Sequence, residues 1–114
     1  MPTFEEIISR AEALGYPITE FAFKGTKSDP VPDPPFLVYL RTVRASGSDD
    51  LNRVEEVDGS IELYTSRKPD RAIEARIEAE VLYDTPYQKD QAEIRSENTV
   101  QTAYDFTIIQ KQKR

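Results

Sequence analysis

The 114-residue chain contains no cysteine, no histidine and no tryptophan. Without thiols, disulfides, thiolate catalysis, iron–sulfur clusters and cysteine-held zinc are excluded. Without imidazole, the commonest general base and the commonest metal ligand are absent. Both absences fit a cytosolic protein that does no redox chemistry. The 4 glycines are isolated, so no glycine-rich loop can cradle a phosphate. Basic residues are the minority: 15 Lys and Arg against 21 Asp and Glu give a net charge of −6. That balance weighs against a nucleic-acid-binding face, which needs clustered cations, and against anionic membrane. A basic partner, or solubility alone, fits better. No apolar run approaches a membrane span. The start, Met1-Pro2-Thr3-Phe4-Glu5-Glu6, lacks the basic and apolar regions of a signal peptide, so none is expected.

What is present reads as one domain over residues 1–114, long enough to bury about 65% of its unfolded surface. Thr3 and Glu6 have capping-box spacing, and Phe4, Ile7, Ile8, Ala11 and Leu14 form an apolar stripe behind them. Gly15 and Pro17 predict the end of that helix. Ile18 to Lys24 predicts a short strand with Phe21 and Phe23 on one face. Gly25 to Pro35 is proline-rich and predicts a surface loop. Phe36 to Val43 is apolar on both faces, as a central strand is. Ala45 to Asp50 predicts a hairpin tip. Asp58-Gly59 is either a two-residue turn or a bulge in one long strand from about Asn52 to Thr65, and the bulge is favoured.

Pro69 suits a first helical position, with Asp70 in the first turn of the helix. Ile73, Ile77 and Val81 are expected to face the sheet, and Ala72, Ala75 and Ala79 to allow close approach. Pro86 ends the helix. Tyr87 to Glu97 predicts a polar edge strand. Val100, Thr102, Tyr104, Phe106 and Ile108 alternate along a final strand. The class is therefore α+β: a mostly antiparallel sheet of about five strands with two helices on one face, in the order α-β-β-β-α-β-β. The expected core is Ile7, Ile8, Leu14, Val38, Leu40, Ile61, Leu63, Ile73, Ile77 and Phe106.

No constellation declares a chemistry. Asp49, Asp50, Glu55, Glu56 and Asp58 cluster, but without the ligand spacing of a calcium loop, so they read as a solvated hairpin. Pro69-Asp70 with Glu74-Ala75-Arg76 loosely evokes a metal-dependent nuclease motif, yet it falls on a helix with Arg in place of Lys. The six tyrosines lack the basic company of a stacking platform for single strands. No catalytic residue, cofactor site or metal site is expected.

Several stretches together resemble the small tail-completion or tail-terminator proteins of long-tailed phages and prophages of Gram-positive bacteria. They are Phe4-Glu5-Glu6-Ile7-Ile8 closed by Gly15-Tyr16-Pro17, and the proline loop into Pro35-Phe36-Leu37-Val38-Tyr39-Leu40-Arg41. Ile61-Glu62-Leu63-Tyr64-Thr65 with its helix and Tyr104-Asp105-Phe106-Thr107-Ile108 complete the set. The resemblance implies a non-enzymatic structural protein of the virion tail or neck, assembled in the bacterial host cytoplasm. It implies a six-fold ring that caps the tail tube and docks it to the head connector. The implied partners are the tail-tube protein, the head-connector proteins and further copies of the chain, with no specific nucleic acid and no membrane. Contacts are implied at long loops and sheet edges, which makes Asp49, Asp50, Glu55 and Glu56 the interface candidates. The competing readings are a small metal-dependent nuclease and a host adaptor domain.

Overall fold

Thr3 starts the first helix by accepting the Glu6 backbone N–H on its hydroxyl at 3.2 Å. The return arm of the box differs from expectation: the Glu6 carboxylate takes the Thr3 hydroxyl at 3.3 Å rather than a backbone N–H. Helix α1 runs Phe4–Glu12 and buries Phe4, Ile7, Ile8 and Ala11. Gly15 then takes the left-handed conformation expected of it, with φ 91°. The computed structural model describes residues 1–46 and 54–111.

Five strands follow: β1 (Ile18–Glu20), β2 (Phe36–Ser46), β3 (Val54–Ser66), β4 (Gln88–Ile94) and β5 (Thr99–Lys111). They form one sheet in the order β1-β2-β3-β5-β4. β1 is parallel to β2, and every other pairing is antiparallel. Helix α2 (Arg71–Arg76) continues into a π-helical turn, Ile77–Val81. The chain is thus α+β with the expected order of elements.

Both helices cover one face. The buried cluster joins Phe4, Ile7, Ile8, Leu14, Ile73, Ile77 and Val81 to Leu37, Val57, Ile61, Leu63, Tyr104, Phe106 and Ile108. The sheet residues alternate with period two, as a half-covered sheet requires. On the other face Phe23 meets Phe36 edge-on at 5.5 Å, and Phe36 stacks on Tyr64 at 5.0 Å, so the segment just after β1 lies over one end of it. Val38 is buried on this face, while Leu40 is only half-buried, unlike the other expected core residues. Leu40 lies farther along this open face, where it lines a shallow depression.

Five local expectations change. β1 stops at Glu20 rather than Lys24, because Phe21 adopts φ 68° and turns the chain away. No bulge occurs at Asp58-Gly59: the registers with β2 and β5 run unbroken through both residues. Gly59 is instead a contact requirement, since a Cβ there would stand 2.6 Å from Phe4 Cε1 and 2.7 Å from Phe106 Cε2. Asp70, not Pro69, starts α2, its carboxylate accepting the N–H groups of Ala72 and Ile73. Ala72, Ala75 and Ala79 face solvent. The Ala45–Asp50 tip begins later than expected, since β2 continues through Ser46, and the rest of it lies outside the described residues.

Candidate interaction surface: two open strand edges

Helix α2 is tied to the sheet by a polar network that the sequence did not announce. Glu74 is 2% exposed. Its carboxylate meets Lys89 Nζ at 2.7 Å, and accepts from Arg71 Nη1 at 2.9 Å and Gln91 Nε2 at 3.0 Å. Lys89 also reaches Glu78 at 2.7 Å, and the Tyr104 hydroxyl donates to Glu78 at 2.8 Å. Burial works to raise the Glu74 carboxyl, but the hydrogen bonds from Lys89 and Arg71 win and hold it below its ordinary value. The Lys89 hydrogen bond lowers Glu78 in the same way. Burial and the Glu78 contact push Tyr104 strongly up. Every carboxylate here already has cationic or hydroxyl partners, so the network is a clamp between α2, β4 and β5. Among the described residues, no group of three His, Cys, Asp or Glu is placed to hold a metal ion. The nuclease-like residues fall the same way: Asp70 caps, Glu74 is buried and paired, and Arg76 pairs with Glu80 at 3.1 Å.

The interface candidates separate. Glu55 lies on the helix side of β3, where it accepts from Gln110 Nε2 at 3.0 Å. Gln110 in turn accepts the Phe4 N–H at 2.9 Å, so this chain of bonds ties the start of α1 to two strands. Glu56 lies on the opposite face and pairs with Arg44, as Asp58 does at 3.3 Å. Asp49 and Asp50 lie outside the described residues. The open face also carries a shallow depression of 460 Å³ between Leu40, Thr42, Asp58, Ser60, Gln88 and Asp105. On the same face the Tyr64 hydroxyl donates to Glu62 at 2.9 Å, and burial with that carboxylate pushes its pKa up to about 12.

Among the described residues, the sheet ends in two uncovered edges. Leu37 donates its N–H to Pro17, and Tyr39 accepts from Phe21, so these β2 residues turn their backbone groups to the β1 side. Backbone direction alternates along a strand. Arg41, Val43 and Ala45 therefore direct their N–H and C=O to the same side, beyond the end of β1. Carried through the registers, the same alternation directs the backbone groups of Lys89, Gln91 and Glu93 away from β5. No hydrogen bond among the described residues uses either set. No proline interrupts either run, and neither ladder carries a bulge. Such edges are templates for a further strand.

Compared with protein-family models and with curated proteins, the chain matches none. No helix among the described residues is long and apolar enough to cross a membrane.

Proposed function

We propose that this chain is a structural protein of long-tailed phages that caps the tail tube and joins it to the head connector. It works as a ring of copies, in the tail or neck of the virion, and performs no catalysis. The observation that supports this best is the pair of free edges at opposite ends of one sheet. Two different surfaces on each copy are what a head-to-tail ring requires, because a heterologous contact that closes makes a ring. The stretches that resemble tail-completion proteins point the same way. They shape this sheet: α1 covers it, the proline loop delivers β2, and Ile61–Thr65 and Tyr104–Ile108 are neighbours in β3 and β5. The tail-tube protein and the head-connector proteins are the partners in this reading.

Deleting the gene from its phage tests it. The expected result is complete heads and complete tails that stay unjoined, with infectivity restored by supplying the protein. Normal numbers of infectious particles without the gene would contradict the proposal.

A further inference from the structure

The two free edges match one another in length, direction and charge. β2 has 11 residues, and those beyond β1 are Leu40–Ser46, a run of seven. β4, Gln88–Ile94, is also 7 residues long. Within the sheet β4 runs opposite to β2, so a second copy in the same orientation presents its β2 antiparallel to the first copy's β4. Outward backbone groups belong to odd-numbered residues on both strands, which restricts the register to steps of two.

One of these registers uses both strands fully. It sets Ile94 against Leu40 and Gln88 against Ser46. Sliding β4 toward the start of β2 drives it into β1 of the neighbour, which occupies Leu37–Tyr39. Sliding it the other way leaves part of β4 without a partner among the described residues. The full register also pairs charges. Glu93 falls opposite Arg41 on the helix side, and Asp90 falls opposite Arg44 on the open side. Arg44 is 65% exposed and Arg41 41% exposed, and among the described residues Glu93 pairs only with exposed Arg95, at 3.4 Å. Opposite charges directly across a strand pair stabilise it. Phe21 completes the arrangement. Its left-handed turn takes the chain off β2 just after Tyr39 and so leaves the edge free.

We propose that copies of this chain join head to tail by antiparallel pairing of β4 from one copy with the Leu40–Ser46 run of β2 in the next. This rests on the ring reading above and names the contact that builds the ring. The sheets of successive copies then form one continuous sheet, with all helices on the same side.

The absence of native cysteine allows a direct test by disulfide trapping in the full chain. In the proposed register Thr42 and Ala92 are directly opposite in a pair without mutual hydrogen bonds, where Cα atoms stand about 4.5 Å apart. Within one chain these residues lie three strand spacings apart and six residues out of level along the sheet, more than about 14 Å, so no internal disulfide can form. The double variant Thr42→Cys/Ala92→Cys, oxidised in glutathione buffer at high protein concentration and on tail tubes, should give a ladder of covalent multimers. Arg44→Cys/Ala92→Cys, two residues out of register, should give none. Ala92→Cys alone, which traps only two-fold contacts, should stay monomeric. Asp90→Arg in the first variant should weaken the ladder, and adding Arg44→Asp should restore it.

A missing ladder for the matched pair in both conditions, equal trapping of both pairs, or dimers from Ala92→Cys alone would overturn the proposal. Ladders from protein that never binds tail tubes would keep the strand pairing and remove the tube-capping reading. Tube-bound protein without the matched disulfide would do the reverse.

Discussion

Gly59→Ala is the sharpest probe of how α1 sits on the sheet. The added Cβ would stand 2.6 Å from Phe4 Cε1, 2.7 Å from Phe106 Cε2 and 2.8 Å from Phe106 Cζ. Carbon atoms rest at about 3.5–4.0 Å, so two rings must each give by about 1 Å. Neither is free to swing. Phe4 is 1% exposed and Phe106 5% exposed, and their rings stack with centroids 6.0 Å apart. Phe4 is further held by its N–H bond to Gln110 and by Tyr39, 6.1 Å away. Overpacking of this kind costs about 1–3 kcal/mol. Against it stands the gain of about 0.5–1 kcal/mol from replacing glycine inside a strand. The net loss is about 0–2.5 kcal/mol, and because two buried rings must yield at once it is expected in the upper half of that range, which for a chain of this size lowers Tm by roughly 4–15 °C. Differential scanning calorimetry reads it. The loss should shrink in a Phe4→Leu background, because the smaller side chain yields the space. An unchanged or raised Tm, or an equal loss in both backgrounds, would refute the close approach.

Ile77→Ala should cost about 2–5 kcal/mol through the cavity it leaves, since Ile77 is 0% exposed beneath α1; a melt like wild type contradicts its facing. Glu74 and Glu78 both titrate below their ordinary 4.5 when folded. Their contribution is present above that value and is lost as pH falls through the lower folded-state values, so Tm should fall on acidification below 4.5. Lys89→Met should lower Tm at neutral pH and flatten this acid slope, whereas parallel pH curves would show that Lys89 does not set the shifts. Phe21→Gly should change stability by less than about 1 kcal/mol, because relief of the left-handed strain offsets the added freedom of the unfolded chain. A larger loss in chemical denaturation would mean that the exposed ring packs more tightly than its 67% exposure indicates.

How much was legible followed how local each signal is. Thr3, Glu6 and Gly15 act within a few residues of themselves, so α1 was readable to its ends. The alternation Val100 to Ile108 is equally local and predicted the buried face of β5. The second helix was readable in its apolar face but not in its detail. A four-residue spacing drifts about 40° per step on an α-helix, and the wider π turn at Ile77–Val81 takes up that drift. Glu74 and Glu78 both reach Lys89 of β4, and Glu74 is a buried carboxylate whose partners come from a strand that the sequence does not place beside it. Phe21 looked like a strand residue because aromatic propensity favours strands. Its turn away from β2 is a tertiary choice. The free edges were the least legible of all. They exist only because the strand order is β1-β2-β3-β5-β4, which brings β4 to one border and leaves most of β2 exposed at the other. Glu55 and Glu56 look like one acidic patch in sequence, yet strand alternation sends them to opposite faces.

The central claim is that this chain closes the end of a phage tail by assembling there as a ring. Copies should be monomeric or weakly associated alone, because the net charge of −6 opposes self-association at low salt. In the proposed role, stable rings are expected only when a tube end gathers the copies. Sedimentation of the purified protein with and without tail tubes, followed by electron microscopy of the pelleted tubes, tests this directly. The account predicts slow-sedimenting protein alone, and co-sedimentation with a six-fold ring at one end of each tube. Stable rings without tubes would remove triggered assembly, and failure to bind tubes under any condition would contradict the account itself.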